Sequence, residues 1–342
     1  MLLQNEPEIK TEKRTNLTLG LEHATPYEHI SVGFEITNIP KILAMVLNNE
    51  RQCSTSEKSA RYTPLDGELY LKWMEIFRTK IKKDYGCMFN DSKIEKLAQE
   101  NARYMVTVFV PTQMIHTVPW IQLNRIVSFM EKYKSKENKT EFDEKLIASF
   151  DEFRDECDRL NLLDERAMSN RKDRSLAIFA DKEFEDSFGT AYSTNYKGTH
   201  AQYAQAHRHR TLDYSMMLLE EKEYFIPPIL KDEPILVDEW LKDISSVEHT
   251  NPQGELISIN ETGTYDKFIL KTKERLCSAA QQEIMIQTRD TLMKYKAALE
   301  AANHPLAEDI KKYSKGARCT FKDYDCARDC KFAEGKNLTR KI

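Results

Sequence analysis

An α+β architecture is what this sequence predicts, and three observations carry the prediction. Ile30 to Ile36 alternates apolar and polar residues as a strand does, with a helix-forming segment directly after it. The same order of segments recurs in the second half of the chain. Asp266 to Ala302 contains neither glycine nor proline and favours long helices. At 342 residues the chain exceeds what one compact core usually holds, so two domains are expected. A composition of 40% hydrophobic and 31% charged residues is that of a folded, water-soluble protein.

Taken in order, Ile30, Val32, Phe34 and Ile36 share one face of the first strand, and Phe188 to Tyr192 is its weaker counterpart. Helices follow at Lys41 to Glu50 and at His200 to Arg208, each running into an arginine-bearing stretch. Asp66 is placed to cap a helix whose Leu69, Trp73, Phe77 and Ile81 recur at helical spacing, and Ile235 to Ile244 around Trp240 repeats the idea. Pairing Gly33 with Gly189, Arg51 with Arg210, Pro64 with Pro228 and Trp73 with Trp240 gives slowly rising offsets, as a duplicated unit with longer loops in its second copy would. The most hydrophilic interior stretch, Lys132 to Lys145, divides the chain, so residues 1–140 and 141–342 are expected to be the two copies.

Composition also excludes. Lys plus Arg number 51 against 55 Asp plus Glu, a net charge of -4, which removes the broad electrostatic case for nucleic-acid binding. None of the ten glycines builds G-x-G-x-x-G or a P-loop, so a bound nucleotide must be held by side chains. The absence of a long apolar run and of a signal-like start predicts a cytoplasmic protein without a membrane partner. Seven scattered cysteines, an odd number, read as reduced thiols rather than as a disulfide framework.

Three clusters could carry chemistry. His23, Thr25, Glu28 and His29 surround Pro26 at a loop-to-strand junction and can orient a polar ligand, although composition alone favours a capped surface turn. The stretch Arg51 to Tyr62 mixes serine hydroxyls with guanidinium forks, a set that suits a phosphate ester or forms a solvated loop. His207 to Thr211 alternates basic residues at a helix end, favourable to the helix dipole and equally to a pyrophosphate. His23 and His29 lack a third and fourth ligand nearby, and no metal is expected; a site built on Cys319, Cys326 and Cys330 is the minor alternative.

The run H-A-T-P-Y-E-H-I, followed by a strand, a helix and R-x-x-S-x-x-E-x-S-x-R-Y, resembles the amino-terminal half of the flavin-dependent thymidylate synthases. That family carries a signature of the form R-H-R-x-x-S-x-x-x-x-S-x-R. In the first half its tail stands as Arg51, Ser54, Glu57, Ser59, Arg61 and Tyr62, while its opening positions fall on Asn49 and Glu50. In the second half Arg208, His209 and Arg210 supply R-H-R, and the expected serines and arginine are lost to Asp213, Leu218 and Glu220. Glu100 to Tyr104 resembles the family's E-x-A-R-Y segment, and Arg275 to Ile284 resembles its carboxy-terminal L-R-x-x-x-x-A-Q-x-E-I helix.

The resemblance implies two tandem synthase-like copies, each a sheet with long helices. It implies FAD as cofactor, NADPH and methylenetetrahydrofolate as co-substrates, and methylation of dUMP to dTMP. Arg51, Ser54, Glu57, Ser59, Arg61, Arg103 and Arg275 would hold the nucleotide, with Arg103 and Arg275 catalytic and Arg275 facing the pyrimidine. His23, Thr25, Glu28, Arg208, His209 and Arg210 would border the flavin, which would then sit between copies. A homodimer would stand in for the family's four subunits. The alternatives are a related flavin enzyme that installs another one-carbon group on a pyrimidine nucleotide, and a non-catalytic homologue.

Overall fold

The computed structural model describes residues 8–21, 25–58, 67–171, 173–180, 185–324, 326, 330 and 332–342, with side chains from Glu12. It mixes helix and sheet, and it divides into two discontinuous compact units: Met1–Lys58 with Pro111–Ile178, and Ser59–Val110 with Phe179–Ile342. His23, Ser59, Arg61, Tyr62, Pro64 and the expected cap Asp66 lie outside the described residues.

The first unit holds α1 (Glu8–Gly20), β1 (Ser31–Pro40), α2 (Lys41–Asn49), β2 (Ser54–Glu57), β3 (Pro111–Pro119), α5 (Trp120–Lys134) and α6 (Glu141–Arg159). Its antiparallel sheet has the order β1-β3-β2, with Phe34 opposite His116 and Thr55 opposite His116 from the other side. Val32, Phe34 and Ile36 alternate as expected, but Ile30 precedes the strand and is 51% exposed. Met114, His116 and Val118 are the buried positions of β3. The β1–β3 register shifts between Ile36 and Ile39, where Asn38 takes φ 59°, a left-handed conformation that a short polar side chain tolerates. Eight of the nine α2 residues are buried, which makes it a core helix, as its apolar run requires.

The charged stretch from Lys132 to Lys145 is not a joint between the compact units. It is a turn inside the first unit, where Thr140 and Asp143 form a reciprocal capping box at the start of α6. Asp143 also accepts from Tyr133 and, at 2.8 Å, from Lys136. High charge marked a well-tied helix start, because ion pairs and caps use the same residues as linkers do.

The second unit holds α3 (Glu68–Tyr85), α4 (Asp91–Ala102), β4 (Ser187–Phe188), β5 (Ala191–Thr199), α7 (His200–Ala206), β6 (Asp213–Leu218), α8 (Pro234–Ser246), β7 (Leu256–Thr264), α9 (Tyr265–Arg275) and α10 (Gln282–Ala301). Its antiparallel sheet has the order β4-β5-β7-β6. Apart from the two-residue β4, the strand order repeats that of the first unit, and in both sheets a helix begins directly after the first and third strands. Phe188 to Tyr192 is therefore not one strand: Gly189 and Thr190 lie in the turn between β4 and β5, and β5 occupies the place of β1. Gly189 is accordingly no structural match for Gly33. Trp73, Phe77 and Ile81 of α3 are fully buried, and the Trp73 ring meets Trp240 of α8 edge-on at 4.8 Å. Leu276 to Gln281 separates α9 from α10 inside the long glycine-free segment.

Candidate functional site

In the second unit, α7 is the element around which the chemistry collects. Its seven residues span about 10 Å at roughly 1.5 Å per residue, and both ends engage buried polar groups. At the start, the Thr199 hydroxyl caps the helix by accepting from the Gln202 N–H at 2.9 Å. The Thr199 N–H and hydroxyl in turn donate to the Glu283 carboxylate at 2.9 and 2.8 Å. Tyr104 donates its hydroxyl to the same carboxylate at 2.9 Å and accepts from Gln281 Nε2 at 2.9 Å. The Gln282 N–H reaches Glu100 at 3.3 Å. The E-x-A-R-Y and A-Q-x-E-I segments, about 180 residues apart in sequence, thus interlock side chain to side chain.

The chain approaches itself closely here. The Gly254 N–H donates to the Tyr104 carbonyl at 2.9 Å, and a Cβ at Gly254 would lie 2.9 Å from Tyr104 Cβ, closer than real side chains come. Burial raises the Glu283 carboxyl above its usual range, against its Thr199 and Tyr104 hydrogen bonds and the nearby Arg103 charge. Arg103 itself is 2% exposed, with Nε and Nη2 buried and without hydrogen-bond partners among the described residues. Its guanidinium carbon stands 5.9 Å from the centroid of the Tyr104 ring. A buried cation with two unmet donors is costly unless a ligand supplies acceptors.

At the other end of α7, Arg275 donates through Nε to His209 Nε2 and through Nη2 to the Gln205 carbonyl at 3.4 Å. His209 Nδ1 lies 3.3 Å from Glu274. Burial, then the Arg275 and Lys271 charges, hold the His209 imidazole well below its usual range. It is neutral, protonated at Nδ1 toward Glu274, with the Nε2 lone pair turned to Arg275. Arg208 and Arg210 on either side are exposed. The structure therefore brings together the R-H-R cluster and the carboxy-terminal arginine, two features that the sequence named separately.

Sequence reasoning missed a fully enclosed network beneath this site. Glu261 and Lys271, both 0% exposed, form an ion pair at 2.5 Å. Tyr192 and Tyr196 donate to Glu261 at 2.7 and 3.0 Å, and Lys271 also donates to Gln287 at 2.9 Å. Burial pushes the Lys271 ammonium below its usual range, and Glu261 opposes the shift. The signal was present: Glu261 shares the inward register of Ile257 and Ile259, and Lys271 falls among the buried Phe268, Ile269 and Thr272 of α9.

The first unit carries the remaining predicted residues. Thr25 and Glu28 are exposed in a short 3-10 turn and the turn that follows, and His23 lies outside the described residues. Arg51 and Ser54 are exposed at the entry to β2, while Ser59 and Arg61 lie outside the described residues. Glu57 is tied to Lys41 at 2.5 Å and reached by the Thr112 hydroxyl at 3.4 Å, so it joins β2 to α2 and β3. His116, also missed, is fully buried and shares a hydrogen bond with the Thr55 hydroxyl at 2.8 Å. Glu50 stands where the signature expects histidine. It is 2% exposed, accepts the Ala177 N–H and has its carboxyl raised by burial, with Arg174 opposing. Cys277, Cys319, Cys326 and Cys330 line one cavity of about 400 Å³ in the second unit. Among the described residues no three His, Cys, Asp or Glu side chains form a metal-binding group.

No helix among the described residues is long and apolar enough to cross a membrane. A search of curated proteins finds no match to the chain. Residues 3–157, somewhat less than half of the chain, match the family model described as thymidylate synthase complementing protein, and the match ends two residues before α6 does. The five segments that carry the resemblance are therefore split, with His23 to Ile30, Arg51 to Tyr62 and Glu100 to Tyr104 inside the match and Arg208 to Arg210 and Arg275 to Ile284 beyond it. Residues 3–157 are thus similar to the flavin-dependent thymidylate synthase family.

Proposed function

We propose that the chain is a tandem-duplicated, FAD-dependent synthase that methylates dUMP to dTMP, taking the carbon from methylenetetrahydrofolate and reducing equivalents from NADPH. The observation that carries the reading is the interlocking of Tyr104 with Glu283 and of His209 with Arg275, which joins segments resembling separate parts of the family's site. The matching strand order of the two sheets supports duplication. By that order α5 and α6 correspond to α9 and α10, which moves the proposed end of the first copy from residue 140 to the end of α6 at Arg159.

The donor set suits an anionic, nucleotide-like cofactor. Arg208 and Arg210 offer exposed guanidinium forks for a pyrophosphate, and the neutral His209 lets a ring approach without a second buried cation. Thr25, Glu28 and His23 are the further residues that the resemblance assigns to the flavin. FAD, when bound, supplies the redox chemistry that no side chain here provides. Arg103 offers two unmet donors to the anionic oxygens of the nucleotide, and Arg51, Ser54, Ser59 and Arg61 are proposed to share its phosphate. Arg275, fixed by His209 and the Gln205 carbonyl, would hold a positive charge against the pyrimidine oxygens as negative charge develops there.

Two chains would rebuild a four-copy assembly, so a dimer is expected by light scattering, and a fully active monomer would contradict this part of the proposal. The functional reading is tested by purifying the chain, recording its flavin absorption, and weighing the product formed from dUMP with methylenetetrahydrofolate and NADPH. dTMP and a flavin band are expected. A product of another mass would point to a related one-carbon transfer, which Asn49 and Glu50 in place of Arg-His make the specific rival. No flavin and no product would leave a non-catalytic homologue.

A further inference from the structure

A cleft in the first unit gathers four arginines. Arg125 reaches it from α5, and Arg166, Arg171 and Arg174 reach it from the segment after α6, which lies beyond the family match. The cleft has a volume of about 140 Å³, many times the roughly 10–15 Å³ a single water requires, and among the described residues no aspartate or glutamate lines it.

The arginines are held in different ways. Arg166 is fixed by Asp164, with Nε to Oδ1 at 2.9 Å. Arg174 stands over the Phe129 ring at 5.2 Å. The half-buried Arg125 guanidinium has no hydrogen bond or ion pair among the described residues. Gathering four like charges around one concavity, with Asp164 beside Arg166 and Glu50 near Arg174 as the carboxylates that offset them, raises the free energy of the empty cleft, and an anion removes that cost. Guanidinium forks match phosphoryl oxygens two at a time, and Ser169 adds a hydroxyl donor on the same wall.

We propose that this cleft binds a phosphorylated small molecule through adjacent phosphoryl groups, with a diphosphate as the smallest ligand of that chemistry. The inference does not rest on the proposed synthase activity. Its recognition elements are neither the residues proposed for dUMP nor those proposed for FAD. The ligand's diphosphate is either free or part of a nucleoside diphosphate.

Isothermal titration of the full chain with diphosphate at low ionic strength reads this directly, since no turnover is required. Saturable binding that weakens with added salt is expected. Arg125→Gln and Arg174→Gln should each weaken it at least about tenfold, the usual consequence of removing one charged donor. Arg154→Gln, an exposed arginine of α6 paired with Glu131, should bind as the unaltered chain does. Circular dichroism of each variant establishes that the fold is kept, and the Arg125 guanidinium has no partner among the described residues to lose. Competition by ADP would assign the site to a nucleotide, and diphosphate binding without ADP binding to the free ion. Absence of saturable binding, or Arg125→Gln binding undiminished, would overturn the proposal.

Discussion

Arg103 illustrates at the scale of one residue how a site can be read from an energetic debt. Two of its donors are buried without partners among the described residues, and each such group costs about 1–3 kcal/mol. Arg103→Gln is therefore expected to leave the unliganded chain as stable as before, or more so, while weakening dUMP binding at least tenfold. Thermal unfolding and nucleotide titration of the variant check both halves. A large loss of stability with unchanged affinity would make Arg103 a structural residue.

His200 gives the pH behaviour a sign. Burial, with the Lys222 charge in support, lowers its pKa to about 4, so the folded chain keeps it neutral while the unfolded chain takes up a proton below about 6.5. The stabilisation is complete above pH 6.5 and is lost as pH falls toward 4, with His209 acting in the same direction. His200→Gln should reduce the stability lost between pH 7 and pH 4 by about 3 kcal/mol, measured by denaturant unfolding at several pH values. An unchanged pH slope would contradict the assignment. The burial of His200 was not legible in the sequence, because nothing about an isolated histidine reveals whether a helix start will bury it.

At the scale of elements, the capping box that opens α6 is the sharpest case. Burial works against the ionised Asp143, yet hydrogen bonds from Lys136, Tyr133 and Thr140 hold its carboxyl below the usual range. Asp143→Ala should cost about 2 kcal/mol at neutral pH, seen as a lower melting temperature. Because the native carboxyl is depressed, that advantage is present above about pH 4 and disappears as acid protonates it. The gap between variant and unaltered chain should close there, and a gap that persists would mean that packing rather than charge ties this turn. Helix faces were readable: Trp73, Phe77 and Ile81 all face a core as their spacing requires. β5 was not, because its inward positions are Tyr192 and Thr194 rather than aliphatic residues. Local pattern also cannot say which sheet a helix joins, and α3 and α4 belong to the second unit although they precede β3 in sequence.

At the scale of the molecule, the account is one of a chain that has kept different parts of one signature in different halves. On the proposed duplication, the first half carries the serine-arginine tail, and the second carries Arg208, His209 and Arg210 with Arg275. The motifs were legible because they are runs of unusual side chains. Their assembly through Glu283 and Tyr104 was not, since it depends on contacts across about 180 residues. Transfer of a labelled carbon from methylenetetrahydrofolate to dUMP, followed by mass spectrometry, tests the central claim most directly. The account predicts dTMP carrying the label, formed only when NADPH and FAD are present and lost in Arg275→Ala. Recovery of unlabelled dUMP from a folded, flavin-bearing chain would contradict it.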